Sequence, residues 1–305
     1  MPKDFIYPLV LSLFFLFSYS TPPVFSADFN RQKINAIYGR DERRFVDAQS
    51  SPIVNELSKA VAFIVSEDSV EVRSRTTLIT AKFLTSPRTL ALCPDENFAR
   101  HHTVNACTGF LVAPDLLVSA GHCFMSADDC ARKKIIFNMR AENEVQRGYS
   151  VYNNAVYECS EIVKNSFNPE KFYDYSLIRL KKKVSGVNPL KFRQRGRIAK
   201  GTPVFMIGHP LGLPLIYSGN ALVNDIRNYR SFKATLDSFE GNSGSPVFNS
   251  KTLEVEGILV RGENDFVENS AKKCYVGQVY DQGSLEAPTS KGEGVTRISE
   301  VLPLE

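Results

Sequence analysis

The stretch of sequence that decides the fold is FEGNSGSP, residues 239–246. A serine hydroxyl is a weak nucleophile at neutral pH, so Ser243 would need a base to take its proton and donors to hold the oxyanion that forms. Gly241 permits a sharp backbone turn, which would direct the amides of Gly241 and Ser243 towards one point. Because Gly, Asn and Ser are also ordinary turn residues, this stretch requires support from elsewhere in the chain.

A candidate base and a candidate acid precede the serine. His122 follows the apolar strand candidate 116–119 and adjoins Cys123, and Asp174 stands at the mouth of the apolar segment 175–180. Taken singly, a histidine after a strand is usually structural, and an aspartate before a strand is usually a turn residue. Found together in the order His, Asp, Ser, the three residues predict a catalytic triad.

The chain resembles the trypsin-like serine proteases, and among them the bacterial branch typified by glutamyl endopeptidases. AIYGRDER at residues 36–43 resembles the start of mature enzymes of that branch, and GHP at 208–210 resembles a Gly-Tyr-Pro turn found there. NSGSP at 242–246 stands where the animal enzymes have Asp-Ser-Gly-Gly-Pro. The resemblance extends over residues 37–300 and is specific only around the triad.

Short strand candidates separated by turns are typical of barrels or sandwiches. The resemblance implies an all-β fold of two antiparallel six-stranded β-barrels, with the active site in the cleft between them. Residues 37–184 would contain an N-terminal extension and the first barrel, and residues 185–305 a linker and the second. A short helix is expected at residues 297–302. The predicted strands are 60–65, 76–83, 108–112, 116–119, 134–139, 155–163, 175–180, 203–207, 219–226, 232–236, 246–249, 255–261 and 294–298.

The resemblance also implies acyl transfer by a serine endopeptidase, with the backbone amides of Gly241 and Ser243 as the oxyanion hole and no cofactor. Peptides or proteins would be the substrates, and a monomer is expected. A catalytically silent binding protein with the same fold is the alternative from another class. Such proteins usually lack a triad member or the glycine of the oxyanion loop, whereas this chain has all three candidate triad residues and that glycine.

Composition and the N-terminus point to an exported globular protein. The chain has 305 residues, 43% of them hydrophobic, and a net charge of +4, too small to indicate binding to nucleic acid or membranes. Lys3 precedes a short apolar run, and Val24-Phe25-Ser26 offers small residues for cleavage. We therefore predict a signal peptide at residues 1–26 and a secreted or periplasmic mature protein. The segment 181–200 contains eight basic residues and no acid, a pattern that would suit a polyanion-binding strip, but we interpret it as a solvated connector between the barrels.

The even cysteine count in an exported chain predicts disulfides. The resemblance implies a bridge between Cys107 and Cys123, which would hold the candidate base in place. The other four cysteines, Cys93, Cys130, Cys159 and Cys274, allow three pairings, and the sequence does not choose among them. No Cys-x-x-Cys pair occurs, and His101-His102 lacks a helical partner, so no metal site is predicted.

The primary specificity is expected to depend on Asp237, six residues before Ser243, with Ser238 beside it. In trypsin-like enzymes this position holds the acid that pairs with a substrate Arg or Lys. Gly262 and Gly294 stand where relatives keep small residues on the pocket walls. These features favour cleavage after Arg or Lys, because an unpaired buried carboxylate is costly.

Two departures from the trypsin pattern keep other specificities open. Val260 stands where trypsin has the serine that supports the catalytic aspartate, and Arg261 could compete with a basic substrate for Asp237. A glutamyl specificity is the alternative, although the strand 257–262 has no histidine to receive a substrate carboxylate. An exposed loop acid is the plain interpretation of Asp237.

The maturation site and two long insertions each have alternative interpretations. Asn242 cannot form the ion pair by which a new N-terminal amine activates trypsin-like zymogens. Residues 27–36 are nevertheless a candidate propeptide, with cleavage before Ile37 or, alternatively, after Arg40 or Arg44. Residues 86–106 and 263–293 are longer than a minimal protease needs, and they would either serve recognition or be disulfide-linked additions.

Overall fold

Strands form two closed antiparallel barrels in the computed structural model, which describes residues 37–280 and 292–302. The predicted signal peptide and propeptide, residues 1–36, lie outside the described residues. The strands of the first barrel, in spatial order, are Lys133–Phe137, Val156–Asn168, Tyr173–Leu180, Leu116–Ser119, Ala106–Ala113 and Val61–Ser66, and the last pairs with the first. The prediction of a six-stranded first barrel is therefore confirmed.

The second barrel follows the same plan. Its strands, again in spatial order, are Pro203–Gly208, Pro246–Asn249, Val255–Arg261, Glu293–Arg297, Ser231–Ala234 and Ile216–Asp225, and the last pairs with the first. A further short strand, Arg44–Phe45, pairs with Ile216–Asp225 on the outside of this barrel. Alternating apolar residues fill each barrel, and a continuous buried cluster extends from the first barrel to Phe248 and Ile258 of the second.

Several predicted boundaries are wrong, each for a local reason. The strand predicted at 134–139 ends at Phe137, because Asn138 has a positive φ of 58° and turns the chain. The strand predicted at 155–163 continues to Asn168 and pairs with Tyr173–Leu180. The terminal helix predicted at 297–302 is only a 3-10 turn, Ile298–Glu300.

Two short helices were not predicted, because neither is long enough to show a 3.6-residue period. Pro52–Ser58 begins after Ser51, whose Oγ accepts a hydrogen bond from the Val54 amide at 3.3 Å. Ala127–Arg132 begins after Ser126, which forms a capping box with Asp129. In both cases the capping residues, rather than the apolar pattern, were the signal present in the sequence.

The two long insertions are joined into one unit. A disulfide links Cys93 to Cys274, Leu92 bridges to Tyr275, and the Cys93 amide donates to the Tyr275 carbonyl at 2.8 Å. The remaining short elements are the strands Ile37–Tyr38, Val70–Val72, Thr76–Thr80, Lys82–Phe83, His102–Thr103, Glu144–Val145, Gly148–Tyr152, Phe266–Asn269, Cys274–Gly277 and Val279–Tyr280, with 3-10 turns at Glu67–Ser69, Gly121–Cys123, Ala141–Asn143, Asn153–Ala155 and Pro210–Gly212.

The other disulfides join Cys107 to Cys123, as the resemblance implies, and Cys130 to Cys159. These bridges are compatible with an extracellular or periplasmic protein. Within the segment 181–200, Lys181 pairs with Glu158 at 2.9 Å and Arg193 pairs with the buried Glu256. Among the described residues, no helix is long and apolar enough to cross a bilayer.

Candidate active site

His122 lies in the 3-10 turn that follows the strand Leu116–Ser119. The Cys107–Cys123 disulfide ties this turn to the neighbouring strand. From the other side, Asn165 donates through Nδ2 to the carbonyl oxygens of Gly121 and Phe124, both at 2.9 Å. The turn is thus held at both ends, which limits the drift of the imidazole.

Asp174 orients the imidazole of His122. Its Oδ2 lies 2.9 Å from Nδ1 of His122, and its Oδ1 accepts hydrogen bonds from the amides of Gly121 at 2.7 Å and His122 at 3.2 Å. The carboxylate is only 3% exposed. An acceptor at Nδ1 selects the tautomer with a proton on that nitrogen, which leaves the lone pair of Nε2 free to accept a proton.

The other three histidines are engaged elsewhere. His101 and His102 contact the same carboxylate, Glu144, through their Nδ1 atoms at 2.6 and 2.7 Å. His209 is fully buried with Nδ1 2.9 Å from the Leu213 carbonyl oxygen, and burial lowers its pKa to about 4. His122 is therefore the histidine with the geometry of a general base.

The serine loop, residues 237–245, is shaped by two glycines. Gly241 and Gly244 have φ angles of 99° and 95°, in the left-handed region that favours glycine. A Cβ at position 244 would lie 1.9 Å from the Thr108 carbonyl oxygen, so the loop packs directly against the first barrel. Beside the serine, Asn242 donates through Nδ2 to Ser238 Oγ at 2.9 Å.

Thr108 connects the two barrels at this point, and the sequence reasoning did not identify it. Its amide donates to the Ser243 carbonyl at 2.8 Å, and its Oγ1 donates to the Gly241 carbonyl at 2.9 Å. The same Oγ1 accepts from the His209 amide at 3.1 Å. The available signal was a hydroxyl residue next to Cys107 in an otherwise apolar strand, where a buried polar group needs partners.

The serine loop and the histidine turn meet at Cys123. The Sγ atom of Cys123 lies 3.9 Å from the Ser243 carbonyl oxygen and within 4.8 Å of a ring nitrogen of His122. Among the residues that the structure describes, the amides of Gly241 and Ser243 donate to no other protein group. The arrangement therefore combines a buried acid, an oriented base, a serine and two unused donors, as acyl transfer requires.

Asp237, the predicted pocket acid, contacts the protein's own N-terminal region. Its Oδ1 accepts a hydrogen bond from the Tyr38 amide at 2.7 Å, and its Oδ2 accepts one from the Glu42 amide at 3.0 Å. The side chain is 3% exposed, so the interpretation as an exposed loop acid is wrong. Burial raises the pKa of this carboxyl to about 6, while the two amides and Arg43 act in the opposite direction.

The other predicted pocket residues lie at the ends of the neighbouring strands. Arg261 pairs with Gly294, and its Cγ lies 3.1 Å from the point that a Cβ of Gly294 would occupy. Its Nη2 is buried with no hydrogen-bond partner among the described residues, and its guanidinium carbon lies 5.0 Å from the centre of the Phe172 ring. Burial lowers the pKa of Arg261, and the nearby Asp174 charge opposes this shift. Gly262, next in the chain, is partly exposed.

A buried acid, Glu293, and a partly buried acid, Asp265, accompany this region and were not predicted. Burial raises the pKa of Glu293 well above its ordinary value, as does the charge of Asp265. Asp265 accepts a hydrogen bond from the Glu240 amide at 2.9 Å, and burial raises its pKa well above the ordinary range. Protonated carboxyls at these positions would avoid placing two charges in a dry environment.

The donor atoms of Cys107, His122 and Cys123 lie close enough together to suggest a metal site. The two cysteines are joined in a disulfide, so neither can supply the thiolate that a metal ion would need.

The two closed, six-stranded antiparallel barrels are the architecture of the chymotrypsin-like fold. Residues 107–258 match the model of the trypsin-like peptidase domain. Among the solved structures that match is a Glu endopeptidase in complex with MPD, with 17% identity, a TM-score of 0.48, and coverage of 79% of this chain and 92% of that one. No curated protein matches the chain. Residues 107–258 are therefore a trypsin-like peptidase domain.

Proposed function

We propose that this protein is a secreted serine endopeptidase that acts through His122, Asp174 and Ser243. The observation that carries the proposal is the bond between Asp174 and His122 Nδ1, next to a serine loop whose two amides are unused. His122 Nε2 takes the proton of Ser243, the serine attacks the peptide carbonyl, and the amides of Gly241 and Ser243 hold the oxyanion. His122 then gives this proton to the leaving amine as the peptide C–N bond breaks, which leaves an acyl-enzyme on Ser243. Water that His122 activates hydrolyses the ester and frees the serine.

The test is fluorophosphonate labelling of the purified, exported protein, followed by peptide mapping. Ser243→Ala should abolish labelling and reduce peptide hydrolysis by about 10⁴-fold or more, with an unchanged unfolding midpoint. His122→Ala should slow labelling to a similar degree while Ser243 is still present. If Ser243→Ala kept its activity, the assignment would be wrong. A folded wild-type protein that neither labels nor cleaves would favour the catalytically silent binding protein.

For the residue before the scissile bond, the sequence favours Arg or Lys, on the basis of Asp237. A substrate guanidinium would need both carboxylate oxygens, which accept bonds from the Tyr38 and Glu42 amides. Because Asp237 is also only 3% exposed, an Arg/Lys preference requires that the segment around Tyr38 and Glu42 first move away from this carboxylate.

A glutamyl-type specificity is the second candidate, supported by Arg261. An arginine with a buried Nη2 and no partner among the described residues, close to Asp174, is suited to receive a substrate carboxylate. A panel of peptides that differ only in Arg, Lys, Glu or Phe before the scissile bond separates the two. Arg261→Gln should reduce cleavage after Glu at least tenfold if the second candidate holds, and should spare cleavage after Arg if the first holds.

A further inference from the structure

The serine loop contacts a segment that we name the N-terminal arm, residues 37–45. The arm is fixed at both ends by backbone pairing. Ile37 and Tyr38 pair in parallel with Val279 and Tyr280 of one insertion, and Arg44–Phe45 pairs with the second barrel. Its middle is bent around Asp237, which accepts hydrogen bonds from the Tyr38 and Glu42 amides.

A second contact lies closer to the candidate oxyanion hole. The Arg43 guanidinium stacks on Phe239 at 3.9 Å from the ring centre, and Phe266 packs against the same ring at 4.5 Å. Arg43 is itself held by Asp41, whose Oδ1 and Oδ2 accept its Nε and Nη2 at 2.8 and 2.9 Å. Phe239 is two residues before Gly241, so its position constrains the amide that would hold the oxyanion.

The two insertions hold the arm against the loop. Asn97 of the first donates to Asp41 Oδ2 at 2.8 Å, and Phe98 contacts both Arg43 and Phe45. The second supplies Val279 and Tyr280, and the Cys93–Cys274 disulfide joins the two insertions. Every one of these contacts uses the main chain or side chains of the arm, and none requires a free N-terminal amine.

We propose that Asp237 is a positioning residue that fixes the serine loop to the N-terminal arm, and that it does not bind the substrate. The inference rests on the proposed serine endopeptidase activity. In this proposal the two insertions hold the arm in place. The serine loop then becomes ordered without a new N-terminal amine at Ile37. The ionised carboxylate suits this task, because charge-assisted bonds to two amides at 2.7 and 3.0 Å fix both its orientation and the loop's.

The test removes each side of the contact in turn. Asp237→Asn keeps the volume but directs an amide donor at one of the two arm amides, and Glu42→Pro deletes the Glu42 N–H. Glu42→Ala is the matched control, because it retains the N–H and removes only the side chain. A fourth variant, Arg43→Met, removes the stacking on Phe239 and retains both amide hydrogen bonds to Asp237, and it covers the case in which Glu42→Pro does not fold.

We expect Asp237→Asn, Glu42→Pro and Arg43→Met to lower kcat about 10- to 100-fold with KM changed less than about threefold, because misplaced oxyanion donors act on the transition state. The order of preference in the Arg, Lys, Glu and Phe panel should not change. Glu42→Ala should behave as the wild type. A selective loss of cleavage after Arg and Lys in Asp237→Asn would instead make Asp237 the pocket acid and overturn the proposal.

Amide hydrogen exchange of residues 237–243 provides a readout that needs no activity. Exchange should be faster in the three disrupting variants and unchanged in Glu42→Ala. Equal exchange in all of them would overturn the proposal even if the enzyme is active. If wild-type protein does not react at Ser243, the proposed activity fails, and the exchange measurement still decides whether the arm holds the loop.

Discussion

Thr108→Val tests whether the first barrel holds the serine loop in place. The substitution keeps the shape of the side chain and removes a hydroxyl that donates to the Gly241 carbonyl at 2.9 Å and accepts from the His209 amide at 3.1 Å. Thr108 and His209 have no exposed surface, so water cannot replace either bond. The main-chain bond from the Thr108 amide to Ser243 remains.

The expected loss follows from the two partners left unpaired. Each buried group without a partner costs about 1–3 kcal/mol, so the loss of two partners should lower the free energy of unfolding by about 2–6 kcal/mol. Because Gly241 carries one of the proposed oxyanion donors, fluorophosphonate labelling of Ser243 should also slow by about tenfold or more.

Urea denaturation and labelling kinetics measure the two effects separately. Thr108→Ser is the matched control, since it retains the hydroxyl, and it should recover most of the labelling rate. A Thr108→Val protein that labels as fast as the wild type would refute the reasoning, whatever its stability. A protein that loses less than about 0.5 kcal/mol would show that the two bonds are not made in solution.

Three further predictions concern other contacts of the site. Asp174→Asn should lower kcat about 10³- to 10⁴-fold in steady-state assays, because the imidazole loses the acceptor that fixes its tautomer, and a fall below tenfold would contradict the triad. The pKa of Asp237 is raised from 3.8 to about 6 in the folded protein, so its contribution to stability is complete below about pH 3.8 and is lost as the pH rises through about 6. Between about pH 5 and pH 8, the free energy of unfolding of the wild type should therefore fall by about 1–2 kcal/mol more than that of Asp237→Asn. If the difference between the two proteins did not change with pH, the shifted pKa would be refuted. Replacing Cys93 and Cys274 together by serine should lower the free energy of unfolding by about 2–4 kcal/mol and speed the exchange of the Tyr38 amide, whereas unchanged exchange would mean that the insertions hold the arm without their disulfide.

The sequence was sufficient for the parts that depend on local chemistry. The serine stretch, the histidine beside Cys123 and the aspartate before an apolar strand predicted three candidate catalytic residues. The short strand candidates predicted barrels or sandwiches, and the resemblance implied the barrels that the structure shows. The Cys107–Cys123 bridge followed from the resemblance. These features depend on residue type and short spacing, which a single sequence displays directly.

Only the tertiary structure decided where distant polar groups find their partners. Asp237 is 199 residues from Tyr38, and in the folded chain its side chain accepts a hydrogen bond from the Tyr38 amide. Thr108 joins Gly241 across the two barrels, and Cys93 selects Cys274 from three pairings at a separation of 181 residues. The sequence does not distinguish a carboxylate or hydroxyl that contacts substrate from one that contacts the backbone. Burial and hydrogen-bond partners arise only when remote segments pack together.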